Sequence, residues 1–176
     1  MSPRTVMLVE GESDRCALET LAARTGRDLA ADGESVLAMG GATNLARHLT
    51  AYGPDGPDVR LGGLCDAGES ALFSRVLARA GVDGAGFFVC HDDLEDELIR
   101  AVGPARVDVV IEREGELAAL RRLQQQPAHR DRPVERQLRR FIGSHSGRKL
   151  RYAGLLVQEL DLDRVPAPLA GALRFA

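Results

Sequence analysis

The sequence predicts an α/β fold in which a mostly parallel four-stranded sheet is flanked by helices and followed by a C-terminal helical extension. Before Pro104, short apolar runs alternate four times with helical stretches, which is the pattern of repeated β-α units. After Pro104 the pattern is helical only. With 176 residues, 44% of them hydrophobic, the chain is long enough to bury one sizeable core.

Each predicted strand is short and apolar and leads into a helix. The strands are expected at residues 5–9, 36–39, 59–65 and 87–90. The helices that follow them are expected to end near Arg24, Tyr52, Ala80 and Val102. Two prolines around Asp and Gly predict a turn at 54–57. We expect residues 1–103 to form the α/β core, and residues 104–176 a helical, basic extension packed on it within one compact domain.

The first strand ends in a carboxylate. Glu10 follows the apolar run, Gly11 makes the turn, and Asp14 lies in the first turn of the next helix. In open α/β sheets, ligands bind at the carboxyl ends of strands, and carboxylate oxygens suit Mg²⁺ or Mn²⁺. The alternative is an exposed loop glutamate and an aspartate that favours a helix N-terminus.

Two further predicted strands also end in acidic residues. Asp66 follows the third strand, and Asp92, Asp93 and Glu95 follow the fourth. Carboxylates gathered at one edge of a sheet repel each other unless cations share the site, so the repetition favours bound metal. Taken alone, the last cluster is more typical of an acidic helix start.

The charge is unevenly distributed along the chain. The net charge of -3 and the pI near 5.8 do not by themselves indicate a nucleic-acid-binding protein. Residues 113–151, however, carry 11 Lys or Arg against 4 Asp or Glu. Lys149 is the single lysine of the chain, and a compact ammonium suits contact with a reacting phosphate. The alternatives are compositional chance for Lys149 and a solvated helix face for any one arginine.

These residues resemble the TOPRIM domain, and within it the nuclease branch of the OLD (overcoming lysogenisation defect) family. Residues 9–18 look like its first motif, in which a strand-end glutamate is followed by an aspartate. Residues 64–68 are similar to the second motif, and residues 93–98 to the third acidic motif. Residues 147–149 resemble the basic motif that closes the domain. The resemblance spans nearly the whole chain and implies a TOPRIM-like, Rossmann-like fold.

The resemblance implies one or two Mg²⁺ or Mn²⁺ ions and a set of site residues. The implied metal ligands are Glu10, Asp14, Asp66, Asp93 and Glu95, with Glu69 and Asp92 as further candidates. The implied catalytic residues are Glu10 and Lys149, and the implied nucleic-acid contacts are Arg148, Lys149 and Arg151. One departure concerns the second motif, which is usually Asp-x-Asp. Gly68 replaces its second aspartate. Either Glu69, the next residue, supplies the missing oxygen, or its side chain points to solvent and the site holds fewer than two ions.

The function implied by the resemblance is that of a Mg²⁺- or Mn²⁺-dependent endonuclease or nickase that hydrolyses DNA phosphodiesters. The larger OLD proteins join an ATPase to this domain, and this chain has no Walker motif, so a separately encoded ATPase or other partner is expected. One alternative is a nucleotidyl transferase, as in the primase and topoisomerase relatives of the domain. Another is a catalytically weak module that binds nucleic acid or a partner. The sequence assigns no oligomeric state.

The remaining observations concern the compartment. Cys16, Cys65 and Cys90 form no Cys-x-x-Cys pair and are expected to be small buried residues in a reducing environment. No signal peptide is expected, and no segment has the roughly 18 consecutive apolar residues of a membrane span. We therefore expect a cytoplasmic protein without membrane contacts.

Overall fold

The computed structural model describes residues 3–53 and 58–176, so the turn expected at 54–57 lies outside the described residues. The sheet has the order β2-β1-β3-β4, and all three pairs of neighbouring strands are parallel. The prediction of an α/β fold built on a four-stranded parallel sheet is therefore confirmed. The strands are β1 (Thr5–Val9), β2 (Glu34–Ala38), β3 (Arg60–Cys65) and β4 (Phe87–Val89).

The strand bounds differ from the prediction mainly at β2. This strand begins at Glu34, two residues before the expected start, because Glu34 pairs with Thr5 of β1. β2 is an edge strand, and four of its five residues are only partly buried. A polar start is therefore tolerated, and an apolar pattern alone could not reveal it. By contrast β1, buried along its whole length, has the predicted bounds.

Nine helices are described. Four follow the strands, as predicted, and five form the C-terminal extension. They are α1 (Glu12–Arg24), α2 (Leu45–Tyr52), α3 (Ser70–Ala80), α4 (Leu94–Val102), α5 (Pro104–Arg113), α6 (Leu117–Gln124), α7 (Val134–Ile142), α8 (Ser146–Glu159) and α9 (Ala167–Phe175).

Helices cover both faces of the sheet. Side chains alternate along β1, so Val6 and Leu8 face one apolar cluster while Met7 and Val9 face the other. The first cluster is completed by α2 and α3. The second is completed by α1, α4 and the C-terminal helices. The extension therefore shares a core with the α/β part, and the proposed division at residue 103 remains a prediction.

Helix α8 lies against α1, and this packing sets the position of Lys149. Gly154 of α8 permits a close approach, since a Cβ there would be 3.2 Å from the Cys16 sulfur. At the other end of the contact, Arg24 Nη1 donates to the carbonyl oxygens of Val157 at 2.6 Å and Leu160 at 2.8 Å. Tyr152, fully buried, fills the core between them and α7.

The cysteines are free thiols, and their burial only partly matches the expectation. Cys65 and Cys90 are buried, whereas Cys16 is partly exposed because it lies at the margin of the α1–α8 contact. In the described residues, no helix combines the length and the apolar character that crossing a membrane requires.

Candidate metal centre

The first two acidic motifs meet at the carboxyl ends of the two central strands. Glu10 directly follows β1 and Asp66 directly follows β3, which are neighbours in the sheet. The backbone N–H of Asp66 donates to Glu10 Oε1 at 3.0 Å. This bond fixes the Glu10 carboxylate beside Asp66, so the two motifs form one site.

Asp14 is the buried carboxylate of the first turn of α1. Its Oδ2 accepts a hydrogen bond from the backbone N–H of Gly11 at 2.7 Å, an arrangement that caps the helix. The pKa of Asp14 is raised to about 6, mainly by burial and to a smaller extent by the Glu10 charge, while the Gly11 N–H and Lys149 oppose the shift. Capping accounts for one oxygen of Asp14, and the raised pKa shows that the charged form is poorly compensated.

Asp66 is the point where the acidic side chains converge. The pKa of Asp66 is raised to about 7, mainly by burial and then by the charges of Glu10, Asp14 and Asp93. Lys149 acts in the opposite direction. Carboxylates from three strand ends therefore influence one another, which is the electrostatic condition that a divalent cation relieves.

Glu95 supplies an unpaired oxygen to the site. It is only 4% exposed in the first turn of α4, and its Oε2 pairs with Lys149 Nζ at 3.1 Å. Its Oε1 is buried and has no hydrogen-bond partner among the residues that the structure describes. A buried carboxylate oxygen without a partner is unfavourable, so this atom fits the chemistry of a metal ligand. Burial raises the pKa of Glu95, with Lys149 opposing the shift.

Lys149 reaches the acidic cluster from the start of α8. Burial lowers its pKa, but the ion pair and hydrogen bond with Glu95 and the charges of Asp14 and Asp66 outweigh that effect. The net shift is upward, so Lys149 remains a protonated ammonium among carboxylates. The predicted catalytic pair Glu10 and Lys149 thus lies in the same acidic cluster.

The other predicted metal ligands either form ion pairs within the protein or make no side-chain hydrogen bond to a described residue. Asp93 Oδ1 accepts from the Asp96 N–H at 2.9 Å, and Asp93 Oδ2 lies 2.6 Å from Arg139 Nη2. Asp92 Oδ2 lies 3.2 Å from both Arg136 and Arg139. Glu69 stands at the start of α3 and makes no side-chain hydrogen bond to any described residue. Their roles as ligands remain predictions.

A different trio has the tightest spacing of possible ligand atoms. Among the residues that the structure describes, His91, Asp92 and Asp96 form the one such group, with atoms within 4.8 Å of one another. The His91 side chain is 74% exposed, and Asp96 is bonded to Arg100 at 2.7 Å. No three of the predicted ligands approach that closely, so a bound ion would require their side chains to draw together.

The predicted nucleic-acid contacts on α8 are bound within the protein. Arg148 pairs with Glu116 at 3.0 Å and lies over the ring of Phe141. Arg151 pairs with Glu116 at 2.6 Å, and the Tyr152 hydroxyl donates to the same carboxylate at 2.9 Å. The sequence contains no local signal for Glu116 as the centre of this network. As nucleic-acid contacts, Arg148 and Arg151 remain predictions.

A basic cleft opens beside the cluster and was not anticipated as such. It has a volume of about 320 Å³ and is lined by Asp93, Glu95, Arg132, Arg136, Arg139, Arg140, Gly143 and Lys149. The available signal was the excess of arginine between residues 113 and 151. The individual residues could be identified only once α7 was placed next to α4.

Comparisons with known proteins agree with this arrangement. The family model described as "Overcoming lysogenization defect protein-like, TOPRIM domain" matches residues 3–52. The C-terminal region of the Burkholderia pseudomallei OLD protein is 26% identical, with a TM-score of 0.73 over 99% of this chain and 97% of that one. The corresponding region from Xanthomonas campestris pv. campestris is also 26% identical, with a TM-score of 0.71 over 98% of this chain and 91% of that one.

No curated protein matches the chain significantly. Together, the family model and the solved structures confirm the resemblance of this chain to the TOPRIM domain of OLD proteins, which is a fold of nuclease type.

Proposed function

We propose that the chain is a metal-dependent nuclease that hydrolyses DNA phosphodiesters as an endonuclease or nickase. One observation carries the proposal. Glu10 accepts a hydrogen bond from the Asp66 backbone N–H at the strand ends, where burial and the charge of Glu10 raise the pKa of Asp14 and Asp66. Beside them lies the buried Oε1 of Glu95, which has no hydrogen-bond partner among the described residues. The similarity to OLD C-terminal regions supports the same reaction class.

The donor atoms fit Mg²⁺ or Mn²⁺, because all of them are hard carboxylate oxygens. Glu10, Asp14, Asp66 and Glu95 would hold one ion or two, and Asp93 would join them if Arg139 released it. When bound, such an ion acts as a Lewis acid that acidifies water and offsets negative charge on the phosphate.

The protein's own groups have distinct tasks in this proposal. Glu10 has one oxygen held by the Asp66 N–H, which leaves the other free to accept a proton from water. Lys149, kept protonated by Glu95, stabilises the charge that develops on the phosphoryl oxygens. Glu95 holds the Lys149 ammonium in place.

The proposal includes an ATPase or other partner that works with this domain. The similar structures support it, because they are described as C-terminal regions of OLD proteins. This chain covers more than nine-tenths of each of those two C-terminal regions.

A second candidate is a catalytically weak module that binds nucleic acid or a partner. Two observations favour it. Gly68 supplies no oxygen in the second motif, and both oxygens of Asp93 already accept hydrogen bonds. The two candidates differ in whether metal-dependent cleavage occurs.

The test is cleavage of supercoiled and linear DNA in Mg²⁺ or Mn²⁺. We expect the wild-type protein to cut, and Glu10→Ala or Asp66→Ala to abolish cutting while the fold is retained. Glu12→Ala is the matched control, because Glu12 is a carboxylate of the same turn whose side chain is 58% exposed and paired with Arg15. Wild-type cleavage rates in either site variant would contradict the assignment, and absence of cleavage in the wild type would favour the binding module.

A further inference from the structure

We propose that the α7 groove binds the sugar-phosphate backbone of one DNA strand and leads it to Lys149. The α7 groove is the basic cleft lined chiefly by Arg132, Arg136, Arg139, Arg140 and Lys149. The inference rests on the proposed function and deepens it, because it assigns the surface that delivers the substrate.

Basic side chains outnumber acidic ones in the groove. Five basic side chains line it against two acidic ones, and each acidic one pairs with a basic groove residue, Asp93 with Arg139 at 2.6 Å and Glu95 with Lys149 at 3.1 Å. Arg132, Arg136 and Arg140 pair with neither of these carboxylates. A polyanion would therefore be attracted to these three arginines and would reach the metal centre beside Lys149.

The arginines that face the groove are available for phosphates. Arg132 and Arg140 are exposed and form no ion pair with any described residue. Arg136 is 55% exposed, and its one ion pair with a described residue is with Asp92 at 3.2 Å. Exposed ion pairs of this kind are weak, so a phosphate can compete for Arg136.

Arg139 has a different place in the groove. It is bonded to both Asp92 and Asp93, which ties α7 to the acidic residues before α4. We therefore assign it to holding the groove beside the metal centre, and we leave it unchanged in the test.

The spacing on α7 suits a strand of phosphates. Arg136 and Arg140 are four residues apart on a helix, which corresponds to a rise of about 6 Å. Phosphates of one DNA strand repeat about every 3.4 Å along the duplex axis, so the pair spans roughly two nucleotides. Arginine forks bind phosphate oxygens in pairs, which would hold the strand in register.

The test compares two double variants that remove equal charge. Arg136→Gln/Arg140→Gln alters the groove, whereas Arg75→Gln/Arg79→Gln removes two exposed arginines at the same spacing on α3, on the opposite face of the sheet. DNA affinity is measured over a series of salt concentrations with Ca²⁺ in place of the catalytic ion, using a short duplex and its single strand. Thermal unfolding checks that both variants fold, and Arg140→Gln alone serves if the double variant does not.

We expect the groove variant to lose roughly tenfold in DNA affinity at low salt. The slope of the logarithm of the binding constant against the logarithm of the salt concentration should become shallower by about 1.4 for the single strand and about 1.8 for the duplex, which corresponds to two phosphate contacts. The α3 variant should match the wild type. A loss confined to one form of DNA supports the groove and identifies the form it takes. Equal losses in both variants, or no loss in the groove variant, would overturn the proposal. Because binding is measured without cleavage, failure of the nuclease activity would be seen separately.

Discussion

Lys149 is the only lysine among 23 basic residues, and its surroundings explain why an ammonium suits the position. Its ammonium forms an ion pair with the buried Glu95, and the negative charges of Asp14 and Asp66 also raise its pKa. A planar guanidinium needs a wider, fixed pattern of acceptors than a single carboxylate oxygen provides. The observed ion pair suits a compact ammonium, and the contact of Lys149 with a reacting phosphate stays a prediction.

Replacing Lys149 with arginine should separate DNA binding from cleavage. The charge is kept, so DNA affinity measured with Ca²⁺ should change little. The rate of cleavage with Mn²⁺ should fall by about 10²-fold, the scale of losing one donor to the developing charge. Arg79→Lys, on the far face of the sheet, is the control for an equally conservative exchange. Unchanged cleavage by Lys149→Arg would remove Lys149 from the site.

The individual site residues divide into those that the sequence could reveal and those that it could not. Glu10, Asp14 and Asp66 follow from a rule about strand ends and helix starts, which acts within a few residues. The engagement of Asp93 depends on Arg139, which is 46 positions away. Such pairings are decided by packing between helices, so no local pattern reports them.

The strands and helices that position the site were predictable where burial is uniform. β1 has the expected bounds and α3 ends at the expected residue, because an apolar run or an apolar helix face defines each of them. The predicted start of β2 was wrong, because β2 is an edge strand and tolerates the polar residues Glu34 and Ser35. Helix α7 belongs to the part after Pro104 for which only helices were expected, but the role of its basic face depends on its packing next to α4.

Strand β3 offers a direct test of how tightly the sheet is packed beneath the site. A Cβ at Gly63 would lie 2.7 Å from two ring carbons of Phe87 and would also clash with the backbone of Leu8. Gly63→Ala should therefore lower the free energy of unfolding by about 1–3 kcal/mol, the usual range for overpacking. Gly68→Ala is the control, because nothing lies within 4 Å of a Cβ there. Equal urea midpoints for the two variants would contradict the packing described.

In the molecule as a whole, the uneven charge of the sequence corresponds to a division of tasks around one core. The carboxyl ends of the strands form the acidic cluster, and the C-terminal extension supplies Lys149 and the α7 groove. The extension is joined to the sheet by the α1–α8 contact, so Lys149 and the carboxylates are held by the same core. The uneven distribution of charge along the chain could be read from the sequence. The sequence did not reveal that several of the basic residues line one cleft.

Metal binding should also depend on pH in a defined direction. Burial raises the pKa of Asp66 to about 7 and that of Asp14 to about 6, and a cation requires their ionised forms. Lowering the pH through this range protonates the ligands, so affinity for Mn²⁺ should be higher at pH 8 than at pH 5.5.

Calorimetric titration with Mn²⁺ at pH 8 tests the existence of the metal centre most directly. We expect the wild-type protein to bind one or two ions and to be stabilised by about 2.7 kcal/mol when Mn²⁺ is present at 100 times its dissociation constant. Asp66→Asn should bind at least tenfold more weakly, while Glu12→Gln, changed in the exposed part of the same turn as Asp14, should bind like the wild type. Absence of Mn²⁺ binding by the wild type, or equal affinity in Asp66→Asn, would contradict a metal centre at these strand ends.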